Sequence, residues 1–118
     1  MNWNGDQRRA APRIEAVLDV TLSRHHGNPV EARTVDLCTT GMRVLSKRPL
    51  HLDETLRFDL ALNPDLHVDG VARVVREHAL NIFALRVESV GTGAAELLSR
   101  FVAAALDVTP TERSQAGS

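Results

Sequence analysis

Tyrosine is absent from this sequence, and tryptophan, phenylalanine and cysteine together contribute five residues. A lone cysteine, Cys38, excludes an internal disulfide. Aromatics at 3% leave almost nothing on which unpaired bases would stack, which argues against a single-strand nucleic-acid binder of the OB type. Charge of one sign is lacking too, because 14 Lys and Arg stand against 15 Asp and Glu, for a net charge of −1. No bulk positive field draws in nucleic acid, so none is expected as a partner and any anion site must be local. The longest uninterrupted apolar run, residues 101–106, is far too short to cross a bilayer. The polar opening MNWNGDQRR has no apolar stretch of the signal-peptide kind. A cytoplasmic location without membrane insertion is therefore expected. His25 and His26 fall in a turn sequence, and His51, His67 and His78 lack metal-site spacing, so no metal is expected. No phosphate loop, dinucleotide fingerprint or catalytic carboxylate pair emerges from the spacings, and Cys38 has no orienting partner. The chain reads as a non-enzyme with no catalytic residues and no cofactor.

What is present suits one globular domain, with 118 residues of which 43% are hydrophobic. Ile14, Ala16, Leu18, Val20 and Leu22 alternate with polar positions, the pattern of a half-buried strand. HHGNP then supplies a reversal, and a partner strand runs from Val30 through VEARTVDL to CTTG, where Gly41 permits a turn before MRVLS resumes an extended pattern. In ETLRFDLAL, Leu56, Phe58, Leu60 and Leu62 alternate, closed by the turn signal NPD. Residues 66–76 and 80–89 are rich in strand formers and are separated by the polar EHA, which suits a hairpin. That makes about six strands. After Gly91 the period becomes helical, with Ala94, Leu97, Leu98, Phe101, Val102 and Ala105 on one face and Thr92 as the expected cap. The expected architecture is mainly β, an antiparallel six-stranded barrel with a C-terminal α-helix of about 14 residues. Residues 1–12 read as a flexible arm, 13–106 as the barrel and helix, and 107–118 as a disordered tail.

Two stretches carry chemistry. QRRAAPR places Arg8, Arg9 and Arg13 on the arm, with Pro12 stiffening the link. Guanidinium is planar, permanently charged and forked, and it grips a phosphate or the O6/N7 edge of guanine with paired hydrogen bonds. A solvated basic tail is the plainer reading of the arginines taken alone. DLCTTG sets Asp36, Cys38 and Gly41 at the end of the second strand. A carboxylate there can accept from the N1 and N2 edge of guanine, a small residue two positions on lets the base approach, and glycine permits a tight turn. An ordinary strand-ending turn accounts for that stretch equally well in isolation.

Taken as a pair, Arg9-Ala-Ala-Pro-Arg13 and Asp36-Leu-Cys-Thr-Thr-Gly41 resemble the RxxxR and [D/N]xSxxG motifs of the PilZ family, bacterial receptors for cyclic di-GMP. VARVVRE, IFALRVESV and AAELLSRFV are similar to the last two strands and closing helix of that family, so the resemblance spans about residues 7–105. It implies a PilZ-type barrel, cyclic di-GMP as ligand, and an output protein in motility, biofilm, pilus, secretion or polysaccharide machinery. By position, the implied ligand-binding residues are Arg9 and Arg13 for guanine and phosphate, and Asp36, Cys38 and Gly41 for a guanine on the barrel surface. Arg8, just before RxxxR, implies capture of two intercalated ligand molecules. The family's Ser is Cys38 here, and a thiol is a weak donor and acceptor. Losing one neutral hydrogen bond costs about 0.5–1.5 kcal/mol, up to about tenfold in affinity, so the substitution weakens binding more than it abolishes it. The alternative it raises is an adaptor on the same barrel that has lost the nucleotide and binds only protein.

Overall fold

A computed structural model describes the backbone of residues 13–117 and the side chains through residue 106. Seven strands and one helix follow in chain order: β1 (Ile14–Glu15), β2 (Asp19–Ser23), β3 (Val30–Cys38), β4 (Gly41–Ser46), β5 (Thr55–Asn63), β6 (Leu66–Ala79), β7 (Ile82–Val90) and α1 (Ala94–Gly117). Six of the strands pair antiparallel in the ring β3-β2-β5-β6-β7-β4, and the β3–β4 pairing closes it. Closure leaves no strand of the ring with an unpaired edge. The short β1 lies beyond β2 along the same edge of β3, with Ile14 opposite Leu37 and Glu15 opposite Asp36.

The first expected strand is thus two pieces. Residues 16–18 bow out between them, although the alternation persists, with Ile14, Val20 and Leu22 buried and Val17 exposed. Thr34 fills the interruption: its hydroxyl donates to the Ala16 carbonyl at 2.5 Å and accepts from the Leu18 amide at 2.8 Å, while its own amide donates to the Leu18 carbonyl at 2.9 Å. A side chain from across the ladder replaces backbone pairing, which hydrophobic alternation cannot reveal.

The β6–β7 hairpin also differs from expectation. EHA belongs to β6, and the chain reverses at residues 80–81, with Ala79 opposite Ile82. Asn81 adopts a φ of 64°, a conformation that asparagine accepts more readily than most residues. At NPD the turn forms as expected, and Asn63 Oδ1 accepts from the Asp65 amide at 2.8 Å.

The inward positions of all six ring strands form one core that includes Leu22, Leu37, Val44, Phe58, Leu60, Val68 and Val74. The helix joins it through Ala94, Leu98 and Val102, spaced four apart on one face, and packs against β1, β3 and β6. Thr92 makes no capping hydrogen bond among the described residues. The helix start is instead set by Gly93, whose φ of 83° turns the chain and whose carbonyl accepts from Leu97. The helical backbone continues to Gly117, about ten residues beyond the expected end, through a polar segment that includes Pro110 and carries no apolar stripe. The expected flexible arm, residues 1–12, lies outside the described residues.

Candidate ligand-binding site

The β3–β4 hairpin organises the site. Cys38 faces Gly41 across the two-residue turn Thr39-Thr40, Leu37 faces Met42, and Asp36 faces Arg43. One position further the register shifts, so that Thr34 faces Val44 and Val35 is an extra residue. Without that bulge Thr34 and Asp36, two apart, would share a face. With it, Thr34 turns inward with Val44 and Asp36 turns outward with Arg43, the re-aiming that bulges provide.

Asp36 is 2% exposed and yet ionisable, so its charge needs partners. Arg13 Nη1 donates to Oδ1 at 3.1 Å from just ahead of β1. Arg43 donates to Oδ2 through Nε at 2.6 Å and also through Nη2. The hydrogen bond to Asp36, with the attraction between the two charges, raises the Arg43 guanidinium above its ordinary pKa. Arg13 stays half-exposed at 50%, whereas Arg43 is at 35%. The arm side of the carboxylate is therefore the side that can open. A carboxylate offers about four lone-pair positions, so Asp36 keeps acceptor capacity on Oδ1.

Cys38 is buried but stands outside the apolar core cluster, and its Sγ lies 3.3 Å from Thr40 Oγ1. Gly41 has a packing reason to be glycine. A Cβ there would sit 2.5 Å from the Leu85 carbonyl oxygen of β7, the strand paired alongside β4. The turn is tied down on the same side, with the Val87 amide donating to the Thr40 carbonyl at 2.9 Å.

Of the residues expected from sequence, the fold brings Arg13, Asp36, Cys38 and Gly41 together on the outer face of the barrel at one hairpin. Arg8 and Arg9 lie outside the described residues. Arg43 was not among the expected residues, although it makes the most direct contact with Asp36. The outward register continues across the sheet in two rows. One runs Glu15, Asp36, Arg43, Ala84, Arg76, and the other Cys38, Gly41, Arg86, Arg73. Among the described residues no group of three or more His, Cys, Asp or Glu side chains is placed to hold a metal, and no helix is long and apolar enough to cross a membrane.

The geometry can be set beside known proteins. The family model for the PilZ domain matches residues 7–104. No curated protein sequence matches the chain. Among solved structures, the PilZ domain of Escherichia coli YcgR with c-di-GMP is similar at a TM-score of 0.72 and 16% identity, over 92% of this chain and 98% of that one. YcgR from Escherichia coli in complex with c-di-GMP gives a TM-score of 0.75 at 16% identity, over 94% of this chain and 51% of that one. The Bacillus subtilis inhibitor of motility, MotI/DgrA, gives 0.68 at 20% identity, over 81% and 50%. This chain thus spans about half the length of MotI/DgrA and of the longer YcgR structure. At these identities the likeness is one of fold.

Proposed function

The chain belongs to the PilZ family, and on that premise we propose that it is a receptor for cyclic di-GMP that signals to a protein partner. The observation that carries the reading is the contact between its two motifs: Arg13 of the arginine motif bonds Asp36 of the hairpin motif at 3.1 Å. A ligand carrying both guanine edges and phosphates fits this pairing, because each half presents the complementary chemistry. The carboxylate accepts from a guanine N1 and N2 edge, and the guanidinium donates to phosphate or to O6/N7.

In the free protein, Arg13 occupies Asp36 from the arm side. On binding, Arg13 turns to the ligand and the guanine edge takes its place on Oδ1, while Arg43 holds Oδ2 and keeps the carboxylate oriented. Arg9 follows Arg13 to the ligand, and Arg8 engages a second molecule. The position of the arm then reports ligand concentration as a change of surface, which a partner protein reads.

Calorimetric titration with cyclic di-GMP, with GTP and GMP as controls, tests the proposal. Saturable binding specific to the cyclic dinucleotide is expected. Arg9→Ala, Arg13→Ala and Asp36→Ala should each weaken it by about tenfold or more, since hydrogen bonds to charged groups are worth about 1.5–3 kcal/mol. Cys38→Ser should leave affinity equal or raise it. Titration curves that none of the three alanine variants changes would refute the site. Absence of any binding would favour the second reading, an adaptor without nucleotide, for which the engagement of Cys38 Sγ by Thr40 is the specific support.

A further inference from the structure

Arg86 is a charged side chain beside the site that the preceding mechanism leaves unused. It is exposed on β7, directly opposite Gly41 on one side and directly opposite Arg73 on the other. Like charges directly opposite in a sheet are destabilising. Arg73 is relieved by Glu88, which it bonds at 2.8 Å. Arg43, on the diagonal, is relieved by Asp36. Arg86 has no ion-pair partner among the described residues, and the nearest outward carboxylate along its own strand, Glu88, already serves Arg73. A forked guanidinium without an ion pair among the described residues therefore stands next to Gly41 in the row that begins with Cys38.

The floor of that row is low. Gly41 has no side chain, Cys38 is small, and Ala84 occupies the neighbouring outward position on β7. Adjacent strands lie about 5 Å apart, so Arg86 stands one strand from Gly41 and two strands, about 10 Å, from Cys38. A base resting on Cys38 and Gly41 places its sugar and phosphate within the range that a long side chain covers from the next strand. A forked guanidinium suits that anion, and neutralising Arg86 also removes its repulsion with Arg73.

The geometry points to Arg86 as a clamp on the barrel side for a phosphate of the bound dinucleotide, gripping from β7 the ligand that the arm arginines grip from above. The inference rests on the cyclic di-GMP reading. It makes Arg86 a residue that costs the free protein stability and returns it as affinity.

Arg86→Gln, with Arg57→Gln as a charge-matched control on the exposed face of β5, separates the possibilities when both are titrated with cyclic di-GMP beside the unaltered protein. Urea unfolding without ligand is followed in parallel. Arg86→Gln should weaken binding about tenfold and flatten its salt dependence, while its urea midpoint stays equal or rises. Arg57→Gln should keep the original affinity. If the unaltered protein binds and Arg86→Gln binds equally well, or if Arg57→Gln weakens binding as much, the clamp is overturned and the receptor reading stands. If the unaltered protein does not bind, both fall.

Discussion

At the scale of single residues, the site is governed by the need to neutralise Asp36. An isolated carboxylate at this depth is strongly unfavourable, and the two arginines at its oxygens are what make its charge tolerable. Gly41 answers a separate demand. It resembles a ligand contact in the motif, yet the 2.5 Å separation between a hypothetical Cβ and the Leu85 carbonyl makes it a sheet residue first. Backbone cannot yield as a flexible side chain does. Gly41→Ala is therefore expected to destabilise the free protein by about 1–3 kcal/mol in urea unfolding, before any ligand is added. An unchanged midpoint would show that its role is confined to the ligand. Arg43 was legible in principle: a two-residue turn at Thr39-Thr40 puts Asp36 opposite Arg43 by counting alone.

At the scale of elements, two features hold the strands in register. Thr34 bridges the gap between β1 and β2, which anchors Arg13 at the head of β1 over Asp36. On the far side, the segment between β4 and β5 is pinned by Glu54. Its oxygens accept from Arg24 Nε at 2.9 Å, Arg24 Nη2 at 3.1 Å and the His51 amide at 2.7 Å. Burial pushes the Glu54 carboxyl up, but these hydrogen bonds and the charge of Arg24 outweigh it and leave the pKa lowered. A carboxylate with a lowered pKa in the folded state stabilises fully above its unfolded value of about 4.3. That contribution fades as pH falls through the folded value. Glu54→Gln should cost about 1–2 kcal/mol at neutral pH, and the difference from the unaltered protein should shrink below about pH 4, as read by urea midpoints across pH. A difference independent of pH would show that the ion pair is not its source.

At the scale of the whole molecule, stability resides in the barrel interior. Phe58 is 2% exposed and belongs to the core cluster, and its ring closes on Gly70, where a Cβ would lie 3.0 Å from two ring carbons. Phe58→Ala should lower the unfolding free energy by about 3–5 kcal/mol, the cost of a cavity in the packed core. A loss below about 1 kcal/mol would mean that the barrel collapses into the cavity. The β3–β4 and β4–β7 pairings close the ring, and the second joins residues about forty positions apart. That closure gathers Asp36, Arg43, Arg73 and Arg86 onto one outer surface.

Alternating hydrophobicity, turn residues and the helical stripe determined from sequence alone that the chain forms a six-stranded barrel with one helix, because each signal is written within a few residues. The paired motifs, through the family they resemble, singled out Arg13, Asp36, Cys38 and Gly41, which the fold brings to one hairpin. Register over long separations was decided by tertiary structure. The bulge at Val35 selects the face on which Asp36 emerges, Thr34 divides the first strand, and the β4–β7 pairing sets Arg86 opposite Gly41. A period-two pattern states which residues share a face of one strand, but the neighbour across the ladder depends on where distant strands meet, and packing of the closed core fixes that.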